Sequence, residues 1–196
     1  RAMLELHQRA MRHSVVIVSL VAEDQWDLPT PCAKWTLRDL LVHMVTENNG
    51  FAAAASGEAA DRSAWEPVRL GPDPRRDYAA SADRVVAAFA EAGSELLLPN
   101  ISDTPFPAAQ AIGFHLLDYV VHAWDVAAAL GRTIALEPDL VAAAAEIAER
   151  DVPDGPRRDR PGAGFQRPVP LGSGVEDAPL DRLLAFLGRD PNWTPA

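Results

Sequence analysis

Hydrophobic residues recur every three to four positions along most of this chain, which is the spacing of amphipathic helices. No run of alternating β-branched residues between turn signals indicates a strand. The pattern therefore predicts an all-α fold of four long helices, a fifth helix and a short C-terminal helix. The predicted spans are 3–22, 37–57, 78–97, 108–130, 137–150 and 179–188.

Capping and helix-breaking residues set several of these boundaries. Pro29 and Pro31 forbid the first helix from continuing, and Thr36 is a predicted N-cap with Asp39 completing a capping box. The connections are short to moderate, so we expect an up-and-down four-helix bundle over residues 1–152. The Pro- and Gly-rich segment and the last helix then form a tail, residues 153–196, that packs on the bundle.

The fourth predicted helix is polar on one face and apolar elsewhere. Spacings of three, four and three residues put four ionisable side chains on one side of FHLLDYVVHAWDVAAAL: His115, Asp118, His122 and Asp125. Burying such groups costs a few kcal/mol each unless they are paired or bind a metal. This face must therefore meet a polar pocket, a hydrogen-bonded network or an ion.

The second helix supplies a further histidine, His43, in the apolar segment LLVHMV. Asp118 and His122 are four residues apart, so both can reach one ion from a single helix, and His43 would complete a set of three ligands. Three protein ligands leave one coordination position open, as in catalytic sites. The alternative is that both histidines are core residues hydrogen-bonded to the aspartates, and the spacing leaves both interpretations open.

Other polar and aromatic residues have more ordinary interpretations. His115 is a fourth ligand, a general acid or a residue at the pocket rim, and Asp125 orients a ligand histidine or forms an ordinary buried hydrogen bond; these two are the candidate catalytic residues. We interpret Cys32 as packed structure because no histidine is adjacent in sequence to activate it. The remaining assignments are a solvated or substrate-facing Glu47, surface positions for His7 and His13, core positions for Trp35, Trp124 and Trp193, and an anion-attracting cap or a solvated loop for Arg157, Arg158, Arg160 and Arg167.

Composition narrows the class of protein. The 196 residues carry a net charge of −10, which opposes nucleic-acid binding. No apolar run is long enough to span a bilayer and no signal-peptide pattern is present, so we expect a cytoplasmic protein without a membrane partner. One cysteine agrees with a reducing compartment. A small-molecule substrate and a homodimer are the partners that we consider.

Three segments resemble the actinobacterial relatives of mycothiol-dependent maleylpyruvate isomerase, within the wider DinB/YfiT-like metal-binding superfamily. They are TPCAKWTLRDLLVHMV, DYVVHAWDVAAALGR and LDRLLAFLGRDPNW. The resemblance implies a four-helix bundle whose divalent ion, usually zinc, is held by His43, Asp118 and His122. Asp118 replaces a glutamate of the isomerase, and the tail here is shorter than the C-terminal domain of that enzyme, so isomerase activity itself is not implied.

Three functions follow as hypotheses. The first is a metal-dependent enzyme that uses a mycothiol-like small thiol to transfer it to, or to isomerise, an electrophilic small molecule. The second is a binding or regulatory module that holds the ion without turnover. The third is an iron oxygenase, because two histidines and one carboxylate also suit non-haem iron. Spacing does not choose among zinc, nickel, manganese and iron.

Overall fold

Six helices account for most of the chain. The computed structural model describes residues 2–172 and 178–195. We number the α-helices in chain order: α1 (Ala2–Ser19), α2 (Leu37–Ala55), α3 (Pro74–Ala90), α4 (Ala108–Ala129), α5 (Pro138–Asp151) and α6 (Pro179–Phe186). Short 3₁₀ turns lie at Glu23–Gln25, Arg62–Trp65 and Pro156–Asp159.

The first four helices form the bundle that the periodicity predicts. α1 packs against α3 and α4, α2 packs against α3 and meets α4, and α5 covers the outside of α4. α4 lies at the centre, and its side chains from Ala111 to Ala129 are nearly all buried. The predicted all-α fold, with a fifth helix and a short C-terminal helix, is confirmed.

Most predicted helix ends agree with the structure within a few residues. Thr36 caps α2: its Oγ1 accepts from the Asp39 backbone N–H at 3.2 Å, and its own N–H donates to Asp39 Oδ2 at 3.1 Å. The first helix, however, stops at Ser19 rather than near residue 22. A 3₁₀ turn and the two prolines that follow carry the chain to α2.

The third predicted helix was placed too late in the sequence. α3 begins at Pro74, whose fixed backbone angle and missing N–H suit the first turn of a helix, and it ends at Ala90. The chain then forms β1 (Glu95–Leu96), which pairs antiparallel with β2 (Phe106–Pro107). The absence of strands that the periodicity predicts is therefore wrong for these four residues, because strands of two residues are too short to produce an alternating pattern.

The tail is attached to the bundle through a buried arginine. The Arg158 guanidinium is 4% exposed and donates to the backbone carbonyls of Val152, Gln166 and Phe186. Arg158 therefore belongs neither to an anion-attracting cap nor to a solvated loop, which corrects both sequence interpretations for this residue. Arg167 is exposed and pairs with Asp154 and Asp159, as a solvated loop predicts.

No helix in the described ranges combines the length and the apolar character needed to cross a membrane.

Candidate functional site

α2 and α4 run antiparallel, and three contacts fix their register. The rings of His43 and His122 meet edge to face, with centroids 5.3 Å apart. One turn along, the Tyr119 hydroxyl donates to the Met44 carbonyl at 2.5 Å, and further along His115 Nε2 lies 2.9 Å from Asn48 Oδ1.

The same register places two acidic residues opposite each other. Glu47 is four residues after His43, and Asp118 is four residues before His122, so on antiparallel helices the two carboxylates lie one turn from the histidine pair. Glu47 and Asp118 are both half-buried. Neither accepts a hydrogen bond from any described residue. The facing surfaces of α2 and α4 therefore carry two histidines and two carboxylates.

The other side of His122 faces a buried ionic network. His122 Nδ1 donates to Asp125 Oδ2 at 3.1 Å. Arg189, from the segment after α6, donates to both oxygens of Asp125, with Nε 3.0 Å from Oδ1 and a terminal nitrogen 3.2 Å from Oδ2. Arg189 and Asp125 are 6% and 0% exposed, so the pair is sealed from solvent.

Cys32 completes this network. Its thiol donates to Asp125 Oδ2 at 3.2 Å and lies 3.4 Å from a terminal nitrogen of Arg189. Cys32 precedes α2, and its sequence neighbours include no histidine, which is why the sequence predicts packed structure for it. The fold nevertheless brings His122, 90 positions later, to its side. Sequence adjacency alone was therefore a poor guide to this thiol's environment.

The pKa values in the network follow from these contacts. Burial lowers the pKa of His122, but its hydrogen bonds with Asp125 and Cys32 outweigh burial and raise it to about 10. Burial raises the pKa of Asp125, but Arg189 and His122 outweigh burial and hold it below its usual range. Asp125 is therefore a fixed negative charge between two cations.

On the side of His122 that faces α2, the histidine pKa is lowered and the carboxyl pKa values are raised, opposite to the shifts of His122 and Asp125. Burial, with a further contribution from the nearby His122, lowers the pKa of His43 to about 3, so its imidazole is neutral. Burial, and then the charge of Asp118, raises the pKa of Glu47 to about 7. Burial raises the pKa of Asp118 to about 6. Two carboxylates with raised pKa values and no hydrogen-bond donor are groups that a cation would stabilise.

The donors on this face fit a divalent ion by their chemistry. A neutral imidazole and unpartnered carboxylates are the ligands that zinc and related ions take. Because Asp125 accepts from Nδ1 of His122, the ligand atom of His122 would be Nε2. Metal binding would require the proton on this Nε2 to be released. His43, Asp118 and His122 are the predicted set. Among the described residues, the three donor atoms that lie within 4.8 Å of one another belong instead to Cys32, His122 and Asp125. Arg189 already supplies the cation of that second group.

His115 lies in a different part of the core from the other three residues of the polar face. Its Nε2 donates to Asn48 Oδ1, while Nδ1 accepts from His7 Nε2 at 2.8 Å. Asn48 in turn donates to Ser81 Oγ at 3.0 Å. Burial keeps the pKa of both histidines well below the usual value, so both rings are neutral. His115 is fully buried, at 0% exposed, rather than at a pocket rim.

The placement of His7 corrects the sequence interpretation. The sequence predicts a surface position for His7, yet this residue is 1% exposed and packs against Phe89 and His115. The Nε2–H of His7 donates to His115, so the Nδ1 of His7 carries a lone pair and can only accept a hydrogen bond. This Nδ1 has no hydrogen-bond partner among the described residues. His13, also on α1, is half-buried and lies 2.6 Å from Glu137.

Two surface cavities in the described part of the chain lie away from these residues. One, of about 540 Å³, is lined by residues near the end of α1 and after α4, including Leu20, Arg132 and Ile134. The other, of about 190 Å³, is lined by residues that include Met3, Phe89 and Ile112. At the α2–α4 face, the half-buried Trp35 packs beside His43, with the two ring centroids 4.7 Å apart.

Comparison with known proteins identifies the relationship. Residues 7–127, more than half of the chain, match the family described as the mycothiol maleylpyruvate isomerase N-terminal domain. The chain belongs to this family. The matched range contains α2 and all but the last two residues of α4, and therefore every predicted metal ligand, whereas Arg189 lies outside it.

This family member also resembles proteins over nearly its full length. Two Mycobacterium tuberculosis proteins, both named as uncharacterized, from the CDC 1551 / Oshkosh and H37Rv strains, are 34% identical over 193 residues, which is 95% of this chain and 97% of theirs. Their names assign no activity.

Two solved structures share the fold. The crystal structure of the mycothiol-dependent maleylpyruvate isomerase aligns with a TM-score of 0.59 at 19% identity, and a histidine-to-alanine variant of it with a TM-score of 0.60 at 17% identity. Each alignment covers 78% of this chain and 69% of the solved one. At this level of identity, the structural match shows a common fold.

Proposed function

We propose that this protein binds one divalent metal ion between α2 and α4 and uses it to activate a low-molecular-weight thiol of the mycothiol kind. The activated thiol would be transferred to a small electrophile, or would promote its isomerisation. One observation carries the proposal: Glu47 and Asp118 face each other without hydrogen-bond donors, beside a neutral His43 and beside His122. Zinc is the first choice of ion, with nickel, manganese and iron as alternatives.

The chain's own residues have distinct parts in this proposal. His43, Asp118 and His122 would hold the ion, and the ion would lower the pKa of a bound thiol so that a thiolate forms near neutral pH. Asp125 accepts from His122 Nδ1 and so directs Nε2 toward α2. Trp35 packs on His43 and shields one side of that ring from water.

The two predicted catalytic residues take supporting parts. Asp125 acts by fixing the ring of His122, and Arg189 and Cys32 hold Asp125 in turn. His115 acts further away, because its hydrogen bond to Asn48 ties α4 to α2 one turn beyond the two carboxylates. Neither residue needs to contact the substrate for this role.

Membership of the family supports the choice of a thiol. The solved relatives are named as mycothiol-dependent, and this chain shares their fold. We do not extend the proposal to maleylpyruvate itself, because Asp118 is one methylene shorter than the glutamate that the resemblance implies. We place the protein in the cytoplasm, where a thiol such as that of Cys32 stays reduced.

A metal-binding module without turnover is the second candidate. The two cavities found in the described ranges lie away from His43 and His122, which favours this alternative. Both candidates require the ion, so they differ only in whether a bound thiol reacts.

The test is a reconstitution with zinc. Tag-free protein would be loaded with zinc and supplied with mycothiol and a chromogenic electrophile such as 1-chloro-2,4-dinitrobenzene. The enzyme proposal predicts turnover that needs protein, zinc and thiol together and that His43→Ala abolishes. Stoichiometric zinc without any acceleration would support the binding module, and absence of zinc binding would overturn both candidates.

A further inference from the structure

We infer that Glu47 is a fourth ligand of the proposed metal ion, beside the three predicted ligands, and that an incoming thiol displaces it. This inference rests on the proposed function and deepens it, because it describes the same site before the thiol binds. It gives Glu47 a direct part in holding the ion, where the sequence left a solvated or a substrate-facing position. Three observations carry it: the register of α2 and α4, the neighbour that their polar groups share, and the hydrogen-bonding state of those groups.

Glu47 occupies on α2 the position that Asp118 occupies on α4. Each carboxylate is four residues from a histidine of its own helix, Glu47 from His43 and Asp118 from His122. Residues four apart lie on one face of a helix, one turn from each other. The helices run antiparallel, and the contact between the two histidine rings fixes their register, so the two histidine–carboxylate pairs face each other.

The side of His122 that faces α2 is the neighbour that the other three groups share. Burial is the largest cause of the pKa shifts of His43, Glu47 and Asp118, and the charge of His122 acts on all three. Asp118 in turn acts on Glu47. A cation bound to Nε2 of His122 would therefore lie close to both carboxylates and to the second imidazole.

The groups around His122 on this side have no competing partner. Within the described ranges, no donor forms a hydrogen bond with the carboxylate of Glu47 or of Asp118, and the ring nitrogens of His43 form none. Trp35 contacts His43 by ring packing. Polar groups removed from solvent are normally hydrogen-bonded, so three such groups on facing helices indicate a ligand that they share. Glu47 belongs to this set as clearly as Asp118 does.

A second carboxylate also balances the charge of the ion. Two neutral imidazoles and the carboxylate of Asp118 would leave one positive charge of a divalent ion uncompensated, and the carboxylate of Glu47 brings the sum to zero. This lowers the cost of holding charge at a half-buried site. Arg189 is not available to neutralise Glu47 instead, because it donates to both oxygens of Asp125.

Glu47 is the ligand that an incoming thiol would replace. Four protein ligands complete the coordination that zinc usually has in proteins, so one of them must leave. Asp125 holds the ring of His122 in place, whereas the Glu47 side chain has one more rotatable bond than that of Asp118 and no hydrogen bond to keep it in place. In the exchange, the thiolate sulfur takes the coordination position of the Glu47 oxygen, the carboxylate leaves as an anion, and the thiol proton passes to solvent.

Metal binding by matched variants tests the inference without turnover. Zinc affinity would be measured by competition with a chromogenic chelator, and the visible spectrum of the cobalt(II)-loaded protein reports which groups coordinate the ion. Titration of the cobalt(II) protein with 2-mercaptoethanol then measures thiol binding through the thiolate charge-transfer absorption. Glu47→Gln keeps the side-chain shape but removes the charge, and Glu47→Asp keeps a carboxylate. The control is Glu58→Gln, at an exposed residue just after α2.

We expect Glu47→Gln to bind zinc at least about tenfold more weakly than wild-type protein, with a changed cobalt(II) spectrum, because a ligand is lost. It should bind 2-mercaptoethanol at least about threefold more tightly, because no carboxylate has to leave first. Glu47→Asp should bind zinc more tightly than Glu47→Gln does, and Glu58→Gln should match wild-type protein throughout.

An unchanged cobalt(II) spectrum in Glu47→Gln would overturn the inference whatever the zinc affinity, because a through-space effect of charge weakens binding without changing the ligands. Thiol binding that is unchanged or weakened in this variant would overturn the displacement. A failure of the proposed function looks different, because wild-type protein would then bind neither zinc nor cobalt(II).

Discussion

Arg189, in the segment that follows the last helix, donates to both carboxylate oxygens of Asp125 in the middle of α4. The two residues are 64 positions apart in sequence, and both are sealed from solvent. Asp125 in turn accepts from His122. The C-terminal segment therefore helps to fix the orientation of a predicted metal ligand, although it is far from that ligand in the sequence.

Replacing Arg189 with methionine should destabilise the protein strongly. The substitution keeps much of the side-chain volume but leaves Asp125 buried without its main cation, and breaking a buried pair in this way costs about 3–5 kcal/mol. Urea denaturation at pH 7 measures the loss. Arg167→Met is the control, because Arg167 pairs with Asp154 and Asp159 at an exposed site where ion pairs contribute little. Similar midpoints for the two variants would contradict this account of the Arg189–Asp125 pair.

The buried histidine His7 should make stability depend on pH below about 6.5. Burial lowers its folded pKa to about 3, so at acidic pH the unfolded chain binds a proton that the folded protein does not. The stability due to neutral His7 is present above about pH 6.5 and is lost as pH falls toward 3, by up to about 1.4 kcal/mol per pH unit.

His7→Gln tests this dependence, because glutamine can still donate to His115 Nδ1 but does not titrate. Unfolding free energies measured from pH 7 to pH 5 should fall more steeply for wild-type protein than for His7→Gln. His13→Gln, on the same helix, leaves His7 in place and should retain the additional slope that His7 gives. Parallel curves for wild-type protein and His7→Gln would show that His7 does not have the lowered pKa.

Gly50 should not tolerate even a methyl group. A Cβ atom at this position would overlap the ring of Trp65, which packs from the 3₁₀ turn onto α2 beside Phe51. Alanine normally stabilises a helix interior relative to glycine by about 1 kcal/mol, but here the collision should outweigh that gain and give a net loss of about 1–3 kcal/mol. Gly93→Ala, where nothing lies within 4 Å of the added carbon, should cost far less. Thermal unfolding of the two variants compares them, and an increase in the melting temperature of Gly50→Ala would show that Trp65 moves aside freely.

Helical periodicity and capping chemistry were sufficient to predict the bundle. They act over a few residues, which is why the Thr36 cap and the polar face of the fourth helix could be derived from sequence. The predicted start of α3 at residue 78 is wrong because Pro74 begins the helix, and a proline there also fits a loop. Likewise, β1 and β2 are stabilised by pairing with each other and not by a pattern within either strand.

The candidate site was only partly predictable, because its key contacts join distant segments. The spacing on α4 put His115, Asp118, His122 and Asp125 on one face, but it could not show that His115 is drawn into the core by His7 and Asn48. No residue near Cys32 in the sequence indicates its contacts with Asp125 and Arg189. A run of apolar positions around His7 at helical spacing was the one available sign that this histidine lies inside.

Metal content is the most direct test of the central claim, that His43, Asp118 and His122 hold a divalent ion. Protein purified without a histidine tag or chelator would be analysed by mass spectrometry, together with His43→Ala, His122→Ala and, as a control outside the site, His13→Ala. We predict close to one ion per chain in wild-type protein and His13→Ala, and little in the other two. Asp118→Glu should retain more metal than Asp118→Ala. Wild-type protein that carries no metal and takes up neither zinc nor iron, or full occupancy in both His43→Ala and His122→Ala, would contradict the account.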